Sequence, residues 1–235
     1  TLKAIIDHCS ENGVAMASIL NHANSAGQTA LMLAIAHGKS ADCVRVLLAN
    51  RAHPNTTVAS SGQSPLEVAM REGNLDILQA LLEHPDIHIS NRILTTVYDR
   101  DCTVALYTKA LEREPELLSR ELSNGQRLAH WLVQDNGEAL RDILADKDPG
   151  FVQGTLSITD QNGNSVAHRL ARQNGAALQE ILAGKVEGFV RDILSIQNAD
   201  HSTVSDVLFD RSPDILRAMS PDVFARYPAL GASVA

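Results

Sequence analysis

Between Asn124 and Ile196 the chain repeats itself at a constant offset of 38 residues. Gly125 recurs as Gly163, His130 as His168, and Asn136-Gly137 as Asn174-Gly175. Ala139-Leu140-x-x-Ile143-Leu144 returns as Ala177-Leu178-x-x-Ile181-Leu182, and Gly150-Phe151-Val152 as Gly188-Phe189-Val190. Leu156-Ser157-Ile158 is matched by Leu194-Ser195-Ile196. A period of this size specifies stacked supersecondary units, each burying its apolar face only against a neighbour, rather than one globular core. It points to a binding surface more than to a reaction centre.

The apolar content fits helices. Hydrophobic residues make up 44% of the chain but aromatics only 3%, so the core is built from Leu, Ala, Val and Ile. Leu and Ala favour helix, and β-branched runs are short. The expected fold is an all-α helical solenoid of about six units with degenerate terminal caps.

A second pair of units precedes the first. Gly27-Gln28-Thr29-Ala30-Leu31-Met32-Leu33-Ala34 runs to Gly38, and Gly62-Gln63-Ser64-Pro65-Leu66-Glu67-Val68-Ala69 runs to Gly73, an offset of 35. Leu47-Leu48 and Arg51-Ala52-His53-Pro54-Asn55 follow in one, Leu81-Leu82 in the other. Thr29 and Ser64 stand where a hydroxyl caps a helix, Pro65 takes the first helical position, and Ser64 with Glu67 makes a capping box. Gly38 and Gly73 supply the left-handed conformation that ends a helix.

These residues resemble the ankyrin repeat, with its G-x-T-P-L-H-x-A start, a glycine ending the first helix, a Leu-Leu pair in the second and a G-A-D-x-N close. The expected layout is one ankyrin-repeat domain over 1–235. Its parts are an N-cap at 1–24, units at 25–59 and 60–88, a degenerate unit at 89–122, 38-residue units at 123–160 and 161–198, and a C-cap at 199–229. In the degenerate unit Ile93, Leu94 and Val97 precede Val104, Leu106, Ala110 and Leu111, with Asp99-Arg100 in place of the turn glycine. Arg127 cannot serve as the hydroxyl cap, Ser165 can, and Thr203 with Asp206 forms a box before the last unit. From Leu144 to Gly163 is 19 residues against 14 from Leu48 to Gly62, so the longer units carry extra chain after the second helix, expected as a short additional helical turn.

Chemistry is harder to find. His84 and His88 are four apart, but Pro85 and the extended Ile87-His88-Ile89 make that stretch a loop, and no HExxH arrangement accompanies it. Cys9, Cys43 and Cys102 are far apart without ligand spacing and fit buried thiols in a reducing compartment. No nucleophile elbow, P-loop or dinucleotide turn occurs. Asp146 and Asp148 are expected as solvated loop charges. The expectation is no catalytic set, no metal and no cofactor. A net charge of −8 argues against nucleic acid and anionic membrane and for a protein partner with a basic patch, bound by a monomer.

The resemblance implies where such a partner sits: along a groove formed by hairpin tips and the exposed ends of first helices. At matching positions stand Gln28, His37, Gln63, Arg71, Glu72, Gln126, Gln134, Asp135, Asn164, Arg172 and Gln173. Trp131 is the only tryptophan. It is a candidate anchor, while its helical position is one usually packed in the core. His130 and His168 occupy the family's histidine position, which implies hydrogen bonds to backbone and the neighbouring repeat.

The degenerate signatures and scarcity of Lys are also similar to the C-terminal ankyrin domains of OspC/CopC-type bacterial effectors. That resemblance implies a targeting domain docking host caspases, attached to an arginine ADP-riboxanase absent from this stretch, and secretion by a bacterium into the host cytosol. A rigid spacer is the third alternative.

Overall fold

A computed structural model of the chain describes residues 16–38, 40–58, 61–96, 98–122 and 124–227, without the side chains of Met16 and Asp135. Most of the expected N-cap, including Cys9, lies outside the described residues, as do Ser60, Val97 and the tail from Pro228. The chain divides into two compact units, residues 1–109 and 110–235.

In unit 1 the helices are α1 (Met16–Leu20), α2 (Ala30–Ala36), α3 (Ala41–Ala49), α4 (Pro65–Glu72), α5 (Leu75–Leu82) and α6 (Asn91–Leu94). The boundary with unit 2 falls within α7 (Arg100–Arg113). First helix packs on first helix and second on second: α2 on α4, and α3 on α5. Leu47, Leu48, Leu81 and Leu82 are buried in that second layer. The starts of these helices are fixed locally. Thr29 accepts from the Met32 N–H, and Ser64 and Glu67 satisfy each other's backbone N–H groups in a capping box behind Pro65. Such caps contribute about 1 kcal/mol each. In the degenerate unit the first helix shrinks to the single turn of α6, capped by Ser90, and Tyr107 hydroxyl holds the Leu94 carbonyl at 2.7 Å.

Unit 2 contains α8 (Leu128–Ala145), α9 (Pro149–Leu156), α10 (Val166–Gln173), α11 (Gly175–Leu182), α12 (Glu187–Leu194), α13 (Val204–Arg211), α14 (Pro213–Met219) and α15 (Pro221–Phe224). Helix α8 is two helices joined at Asn136, whose φ of −157° and ψ of 65° break the run. Asn136 accepts from the Ala139 N–H at 3.1 Å, the same cap that Asn174 gives Ala177 at 3.1 Å. The first helices α8, α10 and α13 stack in order, and the second half of α8 packs on α11, which packs on α14.

One expectation needs correction. The extra segments after the second helices are not single turns: α9 and α12 are full eight-residue helices, each packed on the first helix of the following repeat. Asp148 is an exposed loop charge, as expected, and its carboxylate also caps α9 by accepting from the Phe151 N–H at 3.0 Å.

Each repeat of unit 2 opens with a hairpin held by one antiparallel bridge: Glu121 with Arg127, Thr159 with Ser165, and Gln197 with Thr203. All three are spaced by the same 38 residues. At the bends Gly125, Gly163 and His201 have φ of 75°, 72° and 62°. Among the described residues no helix is long and apolar enough to cross a membrane.

Candidate functional site

The hairpins place their polar side chains by short-range hydrogen bonding. In one, Asp160 Oδ1 accepts from the Asn162 and Asn164 N–H groups, both at 2.9 Å, and in another Asn198 Oδ1 accepts from Asp200 and Ser202 at 3.0 Å. Asn24 does the same for Ala26 and Gln28. Neighbouring hairpins are then tied to each other. Asn198 Nδ2 donates to Asn164 Oδ1 at 3.0 Å, and Gln161 Nε2 lies 3.4 Å from the Gly125 carbonyl.

The two histidines complete the tie from below. Nε2 of His130 lies 3.0 Å from the Asn164 carbonyl, and Nε2 of His168 lies 3.0 Å from that of Ser202. Each therefore spans from a first helix to the next hairpin. Both are buried. Burial pushes both imidazoles below their ordinary pKa, with Arg169 adding to the effect at His130 and Arg172 at His168, against the opposing pull of the accepting carbonyls. They are structural neutral imidazoles rather than acid–base groups facing a substrate.

The exposed ends of the first helices line cavities beside these hairpins. In unit 1 one of about 460 Å³ is lined by Gln63, Glu67, Met70, Arg71, Gly73, Arg92, Thr96, Tyr98 and Asp99. Here Arg92 Nε lies 2.7 Å from the buried Glu67 carboxylate, and Arg71 is held by Gln63 at 3.0 Å and Glu72 at 3.0 Å. Burial raises the Tyr98 phenol pKa. In unit 2 a cavity of about 220 Å³ is lined by Gln134, Asp160, Asn164, His168, Arg169, Arg172 and Gln173. A second, of about 330 Å³, is lined by Asn124, Gly125, Gln126, Gln134, Asp160, Gln161, Asn162 and Arg169.

Of the positions singled out in the sequence, the structure brings Gln63 and Arg71 to the unit 1 cavity, and Gln126, Gln134, Asn164, Arg172 and Gln173 to those of unit 2. Glu72 reaches the first through Arg71. Gln28 and His37 line none of these cavities, and the Asp135 side chain lies outside the described residues. Trp131 is half-buried, not sealed in the core; it sits three residues before exposed Gln134 on α8, a spacing that puts both on one face. Sequence spacing does not point to Arg92, Asp160 or Arg169. Arg169 reaches Asp160 at 3.4 Å and the His130 carbonyl at 3.5 Å, contacts that depend on the stacking and leave no local motif. Among the described residues no three His, Cys, Asp or Glu side chains cluster as a metal site.

Residues 3–92 match the family model for ankyrin repeats in three copies. The fold is similar to the crystal structure of the ankyrin repeat domain of Bcl-3, a member of the IkappaB protein family, at 19% identity over 91% of each chain and a TM-score of 0.55. The predatory endopeptidase Bd0816 of Bdellovibrio bacteriovorus in complex with immunity protein Bd3460 aligns over 94% of this chain and 92% of that one, at 18% identity, but its TM-score of 0.35 is too low to bear on the fold. The chain thus has the ankyrin-repeat fold.

Proposed function

We propose that this chain binds a protein through its hairpin tips and first-helix ends, using Gln63, Arg71 and Glu72 in unit 1 and Gln126, Trp131, Gln134, Asn164, Arg172 and Gln173 in unit 2. One observation supports the reading most. The turn glycines and buried leucines of the framework recur, yet the first-helix ends change from repeat to repeat, Arg71-Glu72, Gln134-Asp135 and Arg172-Gln173, and Arg71, Glu72, Gln134, Arg172 and Gln173 are exposed. Exposed polar positions that vary on a recurring scaffold are what a specific interface needs. Its expected size is about 1,600 Å² in total.

The net charge of −8 supports a partner whose surface is basic on the whole, because long-range attraction raises the rate of encounter. Affinity capture from a lysate with the wild type and with an R71E/R172E variant tests this. A partner identified by mass spectrometry, and weakened or lost with the variant, supports the assignment; undiminished capture removes these residues from the interface.

The finer reading, a targeting segment of an OspC/CopC-type effector docking a host caspase, draws its support from the resemblance of the degenerate units alone. Titrating purified caspases against this chain tests it, and absence of binding at micromolar concentration ends it.

A further inference from the structure

The two hairpin cavities of unit 2 share Gln134, Asp160 and Arg169; the larger balances Arg169 against Asp160, while the smaller adds Arg172 and is opposite in sign to the chain. The whole protein carries −8. The charged residues around the smaller cavity are Arg169, Arg172 and Asp160, two cations against one carboxylate. That carboxylate is already engaged: Oδ1 of Asp160 caps the hairpin N–H groups and Oδ2 faces Arg169 at 3.4 Å. Arg172 is exposed and makes no ion pair with any described side chain. In unit 1 the equivalent cavity is balanced, Arg71 and Arg92 against Glu67 and Asp99, with Arg92 clamped on Glu67 and Arg71 on Glu72. One architecture is therefore neutral in the first unit and cationic in the second.

A guanidinium without a counter-ion among the described side chains presents a planar donor fork that matches a carboxylate. Around it Gln134, Asn164 and Gln173 offer amides, each able to donate to and accept from an extended main chain. Half-buried Trp131 lies one helical turn before Gln134, outside the lining of either cavity. We infer that unit 2 takes an acidic peptide segment of the protein partner, with Arg172 receiving an Asp or Glu carboxylate. This rests on the protein-binding reading and specifies the contact within it. It does not conflict with a partner that is basic on the whole, since the far field acts beyond a Debye length while the carboxylate pairs at contact.

The test is selection from a random-peptide display library on the intact chain, in parallel with R172Q and R71Q. Arg172 is exposed and pairs with no described side chain, so R172Q is expected to retain the fold. Wild type and R71Q are expected to enrich peptides containing Asp or Glu, and R172Q to lose that enrichment. A selected peptide and its Glu→Gln twin are then titrated while Trp131, the only tryptophan, reports by fluorescence. The twin, and the R172Q chain with the original peptide, should each bind about tenfold more weakly or worse. Enrichment of peptides without acidic residues overturns the acidic segment and leaves protein binding standing. Acidic peptides that bind R172Q as tightly overturn the role of Arg172, and selection of nothing by the wild type counts against both readings.

Discussion

The Ser165 hydroxyl lies 2.7 Å from Nδ1 of His168, and the Ser165 N–H is 3.2 Å from the same nitrogen, so the imidazole completes a capping box at the start of α10. One repeat earlier the corresponding pair is Arg127 and His130, and there Nδ1 of the buried imidazole has no partner at all. Both rings use Nε2 on the next hairpin. Only the residue three positions before the histidine differs. An unpartnered buried polar nitrogen costs about 1–3 kcal/mol, and a missing N-cap oxygen about 1 kcal/mol.

Arg127→Ser is accordingly expected to stabilise the chain. The substitution removes the Arg127 hydrogen bond to the Ser119 carbonyl at 3.1 Å and an exposed ion pair with Glu121 at 3.5 Å, neither of which balances a new cap and a partner for Nδ1. A gain of about 1 kcal/mol should shift the urea midpoint upward at pH 8 with an unchanged slope. A lowered midpoint would show that the Ser119 contact outweighs the cap.

The same two imidazoles set a pH dependence. Both are held below the 6.5 of an unperturbed histidine, chiefly by burial, so between the folded and unfolded values the unfolded chain binds more protons. Stability therefore rises with pH through this window, is full above about 6.5, and declines as the pH falls below it. Urea unfolding across pH 5 to 8 should show that decline, and it should be shallower in H130Q. A flat profile would contradict the neutral buried assignment.

Hairpin stacking makes two superficially similar glycines unequal. Gly38 and Gly163 both have positive φ, 59° and 72°. A Cβ on Gly38 meets nothing within 4 Å, whereas one on Gly163 would lie 2.9 Å from the Ala199 backbone nitrogen in the next hairpin. Gly38→Ala should cost about 1–2 kcal/mol, the left-handed strain alone. Gly163→Ala should cost more than that, because backbone must move as well. Equal losses in thermal or urea unfolding would mean that the hairpins do not press on one another as described.

Much of this fold was legible because its determinants are local. Ser64 with Glu67, and Thr203 with Asp206, form the capping boxes their spacing implies, and Gly73 ends α4 in the left-handed conformation. The third helices were underestimated for a physical reason. Gly150 and Gly154 in α9, and Gly188 in α12, are poor helix formers, so propensity suggests only a turn. Burial of Val152, Leu156, Val190, Ile193 and Leu194 supplies from packing what the backbone lacks. At the candidate site the sequence indicates which positions are exposed, but not the pairing of Arg92 with Glu67 or of Arg169 with Asp160. Those pairs join residues 25 and 9 positions apart, through stacking or hairpin closure.

Contact of a protein partner with the hairpin-and-first-helix face is open to a positional test. A photo-cross-linking amino acid placed in turn at Gln134, at Gln173 and at the exposed Gln153 of the third helix α9 tests it directly. A discrete protein adduct of one mass is expected from Gln134 and Gln173 and none from Gln153. Adducts from Gln153 alone, or the same yield at all three positions, would contradict it.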